Sequence, residues 1–471
     1  MQYREEIHNY IQNRRDEIVE TLKELVRIPS VRGNAEEGAP YGLECARVLE
    51  FVEQLYKNND FEAELDNEGG YVLSYFGEGD KTLGFFAHAD VVPVGNDWIY
   101  TEPFEPIEKD GWIIGRGTLD DKSAVLISLY CAKILKELNI PFNSRLVMFT
   151  GSNEESGMGD IKKFISSHIR PDFSLVADTA FPLYRGNKGR IVFYTECLER
   201  LPDGVNLNCG TGTGVIGQAD IKLPYSDELY SEIMEHAKEG VTIECEDKYI
   251  IVKANGIPCH AALPQLGVCA LARLTKVLGK CESLDKINVL FKNLHQMSSC
   301  HYGECFEIES EDEYGKLTCV LTKLETVNGK LKANFNIRYG DSMGNDKILS
   351  KIRQRLIELK WTEPQGVNSS FPDKLSVEDK YVNALLKTFG SFFGVKEVSS
   401  YINAGGTYRQ YLHSAVETGT TSIWGTVSGM PAGHGGAHQP DECINIEGLL
   451  QAIELNMHML LEADRISNEG D

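Results

Sequence analysis

The chain has 471 residues, too many for one ordinary hydrophobic core, so two domains or one domain with a large insertion are expected. Its net charge of −23 argues against a nucleic acid partner, because so acidic a surface repels phosphate backbones. No apolar run approaches the roughly 20 residues of a membrane span, and a charged N-terminal stretch argues against a signal peptide. Twelve scattered cysteines without a C-x-x-C pair then predict reduced thiols and a cytoplasmic location, and disfavour a cysteine-rich zinc site.

The first 183 residues alternate helical and strand-like segments. Apolar residues at helical spacing predict amphipathic helices over 5–27, about 40–57 and 121–138. Short apolar runs, typical of strands buried on both faces, occupy 71–76, 83–87, 145–150 and 173–177. This alternation predicts an α/β fold with a mixed, mostly parallel sheet flanked by helices.

The pattern changes from about residue 184. Glycine-rich stretches, a helix near 224–238, a hairpin turning at Asn328–Gly329 and a helix near 346–360 predict a separate α+β domain. Near 372 the longer helices and short buried runs return, and a helix over about 446–463 ends the pattern. The predicted insertion, 184–372, is about 190 residues long and interrupts a domain made of 1–183 and 373–471.

Residues of metal-ligand type fall where the predicted strands end. Carboxyl ends of parallel strands share one edge of a sheet, which is where such sheets bind ligands. Two loops with the sequences GRGTLDDK and GHGGAHQPDE carry further candidates. Taken alone, each candidate is more simply a helix cap, a solvated turn or a structural histidine; together they predict a metal site. The candidates are His88, Asp90, Asp120, Glu154, Glu155, Asp178 and His438.

The motifs HADVVP, GRGTLDDKS, SNEESG, VADTAFP, GIPCHAALPQLG and GGTYRQ…AHQPDE occur in this order. Together they resemble the co-catalytic dinuclear-zinc peptidase family, which includes carnosinases, glutamate carboxypeptidases, aminoacylases and desuccinylases. The chain is most similar to the bacterial dipeptidases with a long lid. The resemblance implies a catalytic domain in two parts, 1–183 and 373–471, and a lid domain over 184–372.

The resemblance also implies a ligand set for two zinc ions, with manganese or cobalt as alternatives. His88 and Asp178 would bind one ion, and Glu155 and His438 the other. Asp120 would bridge the two. Histidine and carboxylate ligands of this kind suit zinc and leave positions open for water and substrate.

The catalytic roles come from the same resemblance. Glu154 would be the general base, and Asp90 would orient the histidine ligand two residues before it. Gly405, Gly406 and Thr407 would let the backbone approach the substrate closely. Their simpler interpretation is a plain turn.

Three residues of the predicted lid match substrate-binding positions. His260 matches a histidine that donates to the oxyanion of the tetrahedral intermediate. Arg338 matches an arginine that binds a substrate carboxylate, a task suited to a planar bidentate donor. Asn208 matches an asparagine at the same end of the substrate. The alternatives are a surface salt bridge for Arg338 and a turn residue for Asn208.

Some residues depart from the family pattern. Asn153 stands where Asp is usual, Ser123 where Gly is usual, Asn187 where Glu is usual, and Gln410 where Arg is common. None of these positions is a ligand or the base, so the departures leave the substrate subclass open. His434 is of ligand type but has no counterpart in the pattern, and it is expected to be a loop residue.

The resulting hypothesis is a metal-dependent dipeptidase that hydrolyses dipeptides or very short peptides with a free C-terminus, using a water activated by Glu154. The alternatives are an N-acyl amino-acid deacylase or desuccinylase, and a non-catalytic relative that binds metal or peptide. A monomer is expected, because a lid of this size can supply His260 to its own site. The family pattern also implies a cis peptide at Asp120–Asp121.

Overall fold

A computed structural model describes residues 2–469 of the chain. The chain forms two compact units: unit 1 comprises Met1–Gly186 with Lys374–Asp471, and unit 2 comprises Asn187–Asp373. Unit 2 is therefore an insertion within unit 1. Among residues 2–469, no helix combines the length and the apolar character that crossing a membrane requires.

The described residues form helices and strands in the following order. The helices are α1 (Arg4–Gln12), α2 (Arg15–Val26), α3 (Leu43–Asn58), α4 (Lys122–Glu137), α5 (Gly159–Ser167), α6 (Asp227–His236), α7 (Ala270–Leu278), α8 (Lys286–Ser299), α9 (Asn345–Glu358), α10 (Lys380–Phe393) and α11 (Ile446–Asn468). The strands are β1 (Glu62–Asp66), β2 (Tyr71–Phe76), β3 (Thr82–His88), β4 (Ile107–Lys109), β5 (Trp112–Ile114), β6 (Arg145–Gly151), β7 (Phe173–Thr179), β8 (Tyr184–Asn187), β9 (Gly189–Arg200), β10 (Gln218–Pro224), β11 (Val241–Glu246), β12 (Tyr249–Asn255), β13 (Glu311–Asp312), β14 (Gly315–Lys316), β15 (Thr318–Val327), β16 (Lys330–Tyr339), β17 (Gln365–Ser370), β18 (Asp373–Lys374), β19 (Tyr401–Asn403), β20 (Ala415–Gly419) and β21 (Cys443–Asn445).

The main sheet of unit 1 is mixed, which confirms the predicted fold class. Its strand order is β1-β2-β6-β3-β7-β20-β8-β18, and β19 also pairs with β8. The four central strands β6, β3, β7 and β20 run parallel, whereas β1, β2 and β8 join by antiparallel pairing. The parallel part is thus the centre of the sheet, where the most apolar runs of the sequence lie.

Both faces of this sheet are covered, because successive side chains of a strand point to opposite faces. On β3, Phe85 joins the large core cluster that also contains α4 and α11. Its neighbour Phe86 joins a second cluster with Phe149 and Phe164, which includes α5. This double burial explains why the central strands read as continuous apolar runs rather than as alternating ones.

The helix predicted over 5–27 is two helices in the structure, so that prediction was wrong. The chain turns at Asn13 and Arg14, where the Arg14 amide bonds back to Ile11. The apolar stripes on either side pack against different partners, α1 on α11 and α2 on α4. One straight helix could not serve both partners, and sequence periodicity does not register that constraint.

Unit 2 contains its own core and sheets. A four-stranded antiparallel sheet has the order β15-β16-β9-β17, and a three-stranded sheet has the order β10-β12-β11. The predicted hairpin is β15 and β16, with Asn328 (φ 51°) and Gly329 (φ 72°) both in the left-handed region that its two-residue turn requires. Helices α7 and α8 pack against each other, and α7 also packs against β10 and β12.

Candidate metal centre

Three neighbouring strands place acidic and histidine side chains at one edge of the main sheet. In the parallel pairing of β3 with β6, His88 lies opposite Gly151. Glu154 and Glu155 follow that strand end directly, and Asp178 lies near the end of β7, which pairs with β3 on its other side. The edge position expected for these side chains is the position that they occupy.

Two loops bring Asp120 and His438 to the same place. One carboxylate oxygen of Asp120 lies 3.1 Å from His88 Nε2, and the other lies 3.1 Å from His438 Nε2. His438 Nε2 is also 2.9 Å from Glu155 Oε1, and His88 Nε2 is 3.7 Å from Asp178 Oδ1. Asp120 therefore lies between two groups, one containing His88 and Asp178 and the other containing His438 and Glu155.

The spacing of the potential ligand atoms is compatible with a metal site. His88, Asp120 and Glu155 offer atoms that all lie within 4.8 Å of one another, and so do His88, Glu154 and Asp178. The imidazole of His88 is buried, and within residues 2–469 its Nε2 has no hydrogen-bond partner despite its closeness to Asp120. An unpartnered buried ring nitrogen facing carboxylates is the arrangement expected of a metal ligand.

The carboxylates of this cluster are buried close together, an arrangement that nearby positive charge would stabilise. Burial, reinforced by the charge of Asp120, raises the pKa of Glu155 to about 7. Burial, together with the charge of Asp178, raises the pKa of Glu154 well above its ordinary value. Burial would lower the pKa of His88, but the neighbouring carboxylates, Asp120 foremost, hold it well above its ordinary value. Four acidic side chains so close together repel one another, and divalent cations would remove that cost.

Asp90 holds three of these residues in place. Its backbone oxygen lies 3.0 Å from His88 Nδ1, and its carboxylate Oδ1 lies 3.4 Å from the same nitrogen. The two carboxylate oxygens also accept the backbone N–H groups of Glu154 and Glu155 at 3.1 and 3.2 Å. The buried Asp90 thus fixes the His88 ring and the glutamate pair together.

Glu442, which sequence reasoning missed, shapes the loop that carries Asp120. Its Oε1 accepts the backbone N–H groups of Gly117, Leu119 and Asp120 at 3.1, 2.9 and 3.0 Å. Its Oε2 accepts a 2.6 Å bond from Arg116 Nη1, and both side chains are only 1% exposed. The buried Glu442 carboxylate therefore holds the backbone from Gly117 to Asp120 in a tight loop and fixes the position of Asp120.

The preceding residue, Asp441, anchors a second loop. Its carboxylate accepts the backbone N–H groups of Ile99 and Tyr100 at 3.0 and 2.9 Å. Its other oxygen lies 2.7 Å from Nδ1 of His434, so this histidine supports the loop. The only signal in the sequence for Asp441 and Glu442 was that both end the AHQPDE motif that contains His438.

Asp121 does not cap helix α4, although a helix-start aspartate is most simply interpreted as a cap. In the part of the chain that the structure describes, its side chain makes no capping hydrogen bond. Its Oδ2 instead accepts the backbone N–H of His88 at 3.2 Å. The peptide between Asp120 and Asp121 is cis, as the resemblance implied.

Glu417, a buried acidic residue, positions the Gly405–Thr407 stretch through Asn403 and Thr407. Gly405 N–H donates to Asn403 Oδ1 at 2.7 Å, and Thr407 Oγ1 donates to Glu417 Oε1 at 2.6 Å. Neither Gly405 nor Gly406 has φ in the left-handed region, so the backbone conformation does not itself require glycine. The stretch is a hydrogen-bonded turn, and its substrate role stays a prediction.

Two departures from the family pattern have local partners. Asn153 Oδ1 accepts the N–H of Gly159 at 2.9 Å, and its amide nitrogen donates to Ser156 Oγ at 2.6 Å. The Gln410 amide lies 2.9 Å from the sulfur of Met158. Asn153 thus closes the turn after Glu154 and Glu155 without a further negative charge.

In unit 2, His260 and Arg338 differ in exposure. His260 is exposed, and its Nδ1 accepts the N–H of Ala262 at 3.3 Å. Arg338 is 6% exposed and donates from Nε to Asn336 Oδ1 at 3.0 Å. Burial, followed by the charge of Arg190, lowers the pKa of Arg338 to about 9, so the guanidinium stays protonated at neutral pH.

Asn208 of unit 2 has a structural partner. Its Oδ1 accepts the backbone N–H of Thr326 at 2.7 Å, which ties the preceding loop to strand β15. This contact agrees with the simpler interpretation as a turn residue, and it occupies the amide oxygen. The substrate-binding role expected for Asn208 stays a prediction.

The sequence profile of peptidase family M20/M25/M40 matches residues 84–462, and the chain therefore belongs to this family of metal-dependent peptidases. The suspected family is confirmed, and the chain is an enzyme of the peptidase class.

The chain is also similar in sequence to two bacterial proteins that are named as dipeptidases. YtjP of Bacillus subtilis strain 168, provisionally named a dipeptidase, is 26% identical over 469 residues, covering 95% of this chain and 97% of its own. SSP1012 of Staphylococcus saprophyticus, named in the same way, is 26% identical over 430 residues, covering 86% of this chain and 89% of its own.

Solved structures share the fold. Human carnosine dipeptidase 1 has a TM-score of 0.58 at 15% identity, covering 98% of this chain and 99% of its own. The M20 metallo-carboxypeptidase Sso-CP2 of Sulfolobus solfataricus has a TM-score of 0.58 at 16% identity, covering 96% and 99%.

Proposed function

We propose that this peptidase is a dipeptidase that uses two zinc ions and acts on dipeptides or very short peptides with a free C-terminus. The observation that carries the proposal is the position of Asp120, with one carboxylate oxygen 3.1 Å from His88 and the other 3.1 Å from His438. A carboxylate shared between two such groups is suited to bridging two cations.

The chain's own side chains would hold the ions as follows. His88 and Asp178 would bind one, Glu155 and His438 the other, and Asp120 both. The three carboxylates would compensate most of the charge of two divalent cations, which lowers the cost of placing them in a partly buried cleft. When bound, the ions would acidify a water molecule and polarise the scissile carbonyl.

Glu154 is suited to act as the general base. Asp90 holds its backbone N–H, so the side chain projects from a fixed point. Its Oε1 is buried and has no hydrogen-bond partner among the described residues. A carboxylate oxygen that nothing else occupies can take a proton from the attacking water and deliver it to the leaving amine.

Unit 2 would bind the substrate. Arg338 keeps its charge at neutral pH, and within the described residues it donates to Asn336 through Nε, which leaves the terminal nitrogens of the guanidinium for a substrate carboxylate. His260 would stabilise the oxyanion, as the family resemblance implies. We also propose that the protein acts as a monomer, with His260 supplied by its own chain; a stable dimer in light scattering would contradict this.

The relatives named as dipeptidases support this substrate class over N-acyl amino acids. The direct test compares, for the purified protein with added Zn²⁺, Mn²⁺ or Co²⁺, dipeptides, the same dipeptides with amidated C-termini, and N-acetyl and N-succinyl amino acids. We expect free-carboxylate dipeptides to be hydrolysed fastest, and a chelator to abolish the activity reversibly. Faster turnover of the N-acyl compounds would identify a deacylase, and metal binding without hydrolysis a non-catalytic relative.

A further inference from the structure

Three cysteines of unit 2 meet at one point of its core. Cys300 follows helix α8, Cys305 lies in the short 3₁₀ turn Glu304–Phe306, and Cys319 lies near the start of β15. The Cys300 sulfur accepts the backbone N–H of Cys305 at 3.2 Å. The thiols of Cys305 and Cys319 both lie close enough to Cys300 to lower the pKa of its thiol. Cys300 is therefore the centre of a thiol cluster, defined as Cys300, Cys305 and Cys319.

Of the three thiols, Cys300 is the one whose pKa is lowered, whereas the pKa values of Cys305 and Cys319 are raised. The Cys305 thiol, followed by the Cys319 thiol, lowers the pKa of Cys300 far below its ordinary value, although burial acts in the opposite direction. A backbone N–H can only donate, so the Cys305 amide favours the thiolate at Cys300. Cys281, also buried in unit 2, donates its thiol to the Val277 carbonyl, and burial raises its pKa to about 12.

The arrangement favours a bond between two sulfurs over a metal site. Among the described residues, the groups of three ligand atoms within 4.8 Å of one another all lie at the sheet edge of unit 1, and none includes the thiol cluster. A tetrahedral zinc site with Zn–S bonds near 2.3 Å requires sulfurs about 3.8 Å apart in every pair. Here Cys300 lies between its two partners, which suits one disulfide.

Cys305 is the better partner for Cys300. It is partly exposed, whereas Cys319 is fully buried within the strand pairing of β15 with β16. Its backbone nitrogen is already at 3.2 Å from the Cys300 sulfur. Cys300 itself is 4% exposed, so an oxidant must be small to reach it.

We propose that Cys300 and Cys305 form a peroxide-reactive modification site that oxidises to an intramolecular disulfide. In the first step the Cys300 thiolate attacks one oxygen of hydrogen peroxide, so an S–O bond forms, the O–O bond breaks and hydroxide leaves. In the second step the Cys305 sulfur attacks the Cys300 sulfur, so the S–S bond forms and the S–O bond breaks. The leaving hydroxide takes the Cys305 proton and departs as water. The two thiols supply the two electrons that reduce the peroxide.

The test treats the reduced full-length protein with a few equivalents of hydrogen peroxide, alkylates it under denaturing conditions and maps tryptic peptides by mass spectrometry. Cys300 and Cys305 share the peptide 293–316, whereas Cys319 lies in 317–323. We expect peptide 293–316 to lose two hydrogens and to take up no alkyl group, and a dithiol to reverse this. The peptides with buried Cys281 and exposed Cys245 are the matched controls and should stay fully alkylated.

A variant separates the two steps. Cys305→Ser keeps the backbone N–H but removes the resolving thiol, so oxidation of Cys300 should stop at the sulfenic acid, which dimedone traps. If peptide 293–316 stays fully alkylated at peroxide concentrations that oxidise Cys245, the proposal is wrong. A cross-link between 293–316 and 317–323 would also overturn the pairing with Cys305. The map of the wild-type protein decides both points even if a variant folds poorly.

Discussion

Breaking the buried Arg116–Glu442 pair by removing one partner should destabilise the fold far more than breaking an exposed ion pair. Removing one partner of a buried pair leaves an uncompensated charge and costs about 3–5 kcal/mol. Glu442→Ala also orphans the N–H groups of Gly117, Leu119 and Asp120, at about 1 kcal/mol or more each. Arg116→Ala leaves Glu442 with those three donors. We therefore expect Glu442→Ala to lower the free energy of unfolding more than Arg116→Ala does, by at least about 2 kcal/mol.

Denaturant unfolding of the two single variants and the double variant measures this as a double-mutant cycle. The coupling between the two side chains should be about 2–4 kcal/mol, because the double variant leaves neither charge stranded. The matched control is Arg15–Glu108, a 2.7 Å pair in unit 1 with side chains 37% and 40% exposed, whose coupling should be about 0–1 kcal/mol. Similar couplings for the two cycles, or a more costly Arg116→Ala, would refute the reasoning.

Three further predictions concern the proposed chemistry and the acid sensitivity of the fold. Glu154→Gln should retain both metals and lose about 10²–10⁴ in kcat, whereas Glu155→Ala should lose one metal, as kinetics and elemental analysis would show; loss of metal from the first variant would reverse these roles. Arg338→Ala should lower kcat/KM at least about thirtyfold for dipeptides but little for their C-terminal amides, and equal losses for both would exclude carboxylate recognition. Burial lowers the pKa of His458 from 6.5 to about 4. As the pH falls, this histidine is therefore protonated in the unfolded chain before it is protonated in the folded one, and the free energy of unfolding should fall by about 3 kcal/mol between pH 6.5 and pH 4. Denaturation curves of His458→Leu, measured in parallel, should not show this contribution.

The parts of the fold that sequence predicts are those that local patterns control. Phe85 and Phe86 lie in a continuous apolar run because both faces of β3 are covered, and that run predicts a central strand ending at His88. Asn328–Gly329 predicts a hairpin because both residues adopt positive φ readily. The break between α1 and α2 is not predictable in this way, since it depends on which helices each one meets.

The residues of the candidate site also fall into two groups: those that local sequence patterns predict and those that depend on distant contacts. His88, Glu154 and Asp178 could be predicted because they follow buried strands whose carboxyl ends meet. Glu442 could not, because its contacts with the Asp120 loop join residues more than 300 positions apart and involve backbone N–H groups, which carry no sequence signal. Asp121 shows the same limit: an aspartate at a helix start usually predicts a cap, but this carboxylate accepts the backbone N–H of His88 in strand β3.

The segment from His438 to Glu442 explains how the site can keep its geometry although its parts come from opposite ends of the chain. His438 contacts Asp120 and Glu155, while Glu442 binds the backbone that carries Asp120. Asp441 fastens the loop at Ile99 and Tyr100. If this segment shifts, His438 and the Asp120 loop should therefore move together. The distance between His438 and Asp120 should then change little, even if the loops move. Half-exposed His438 has little packing of its own to hold it, and these buried carboxylates supply the rigidity that a ligand at that position requires.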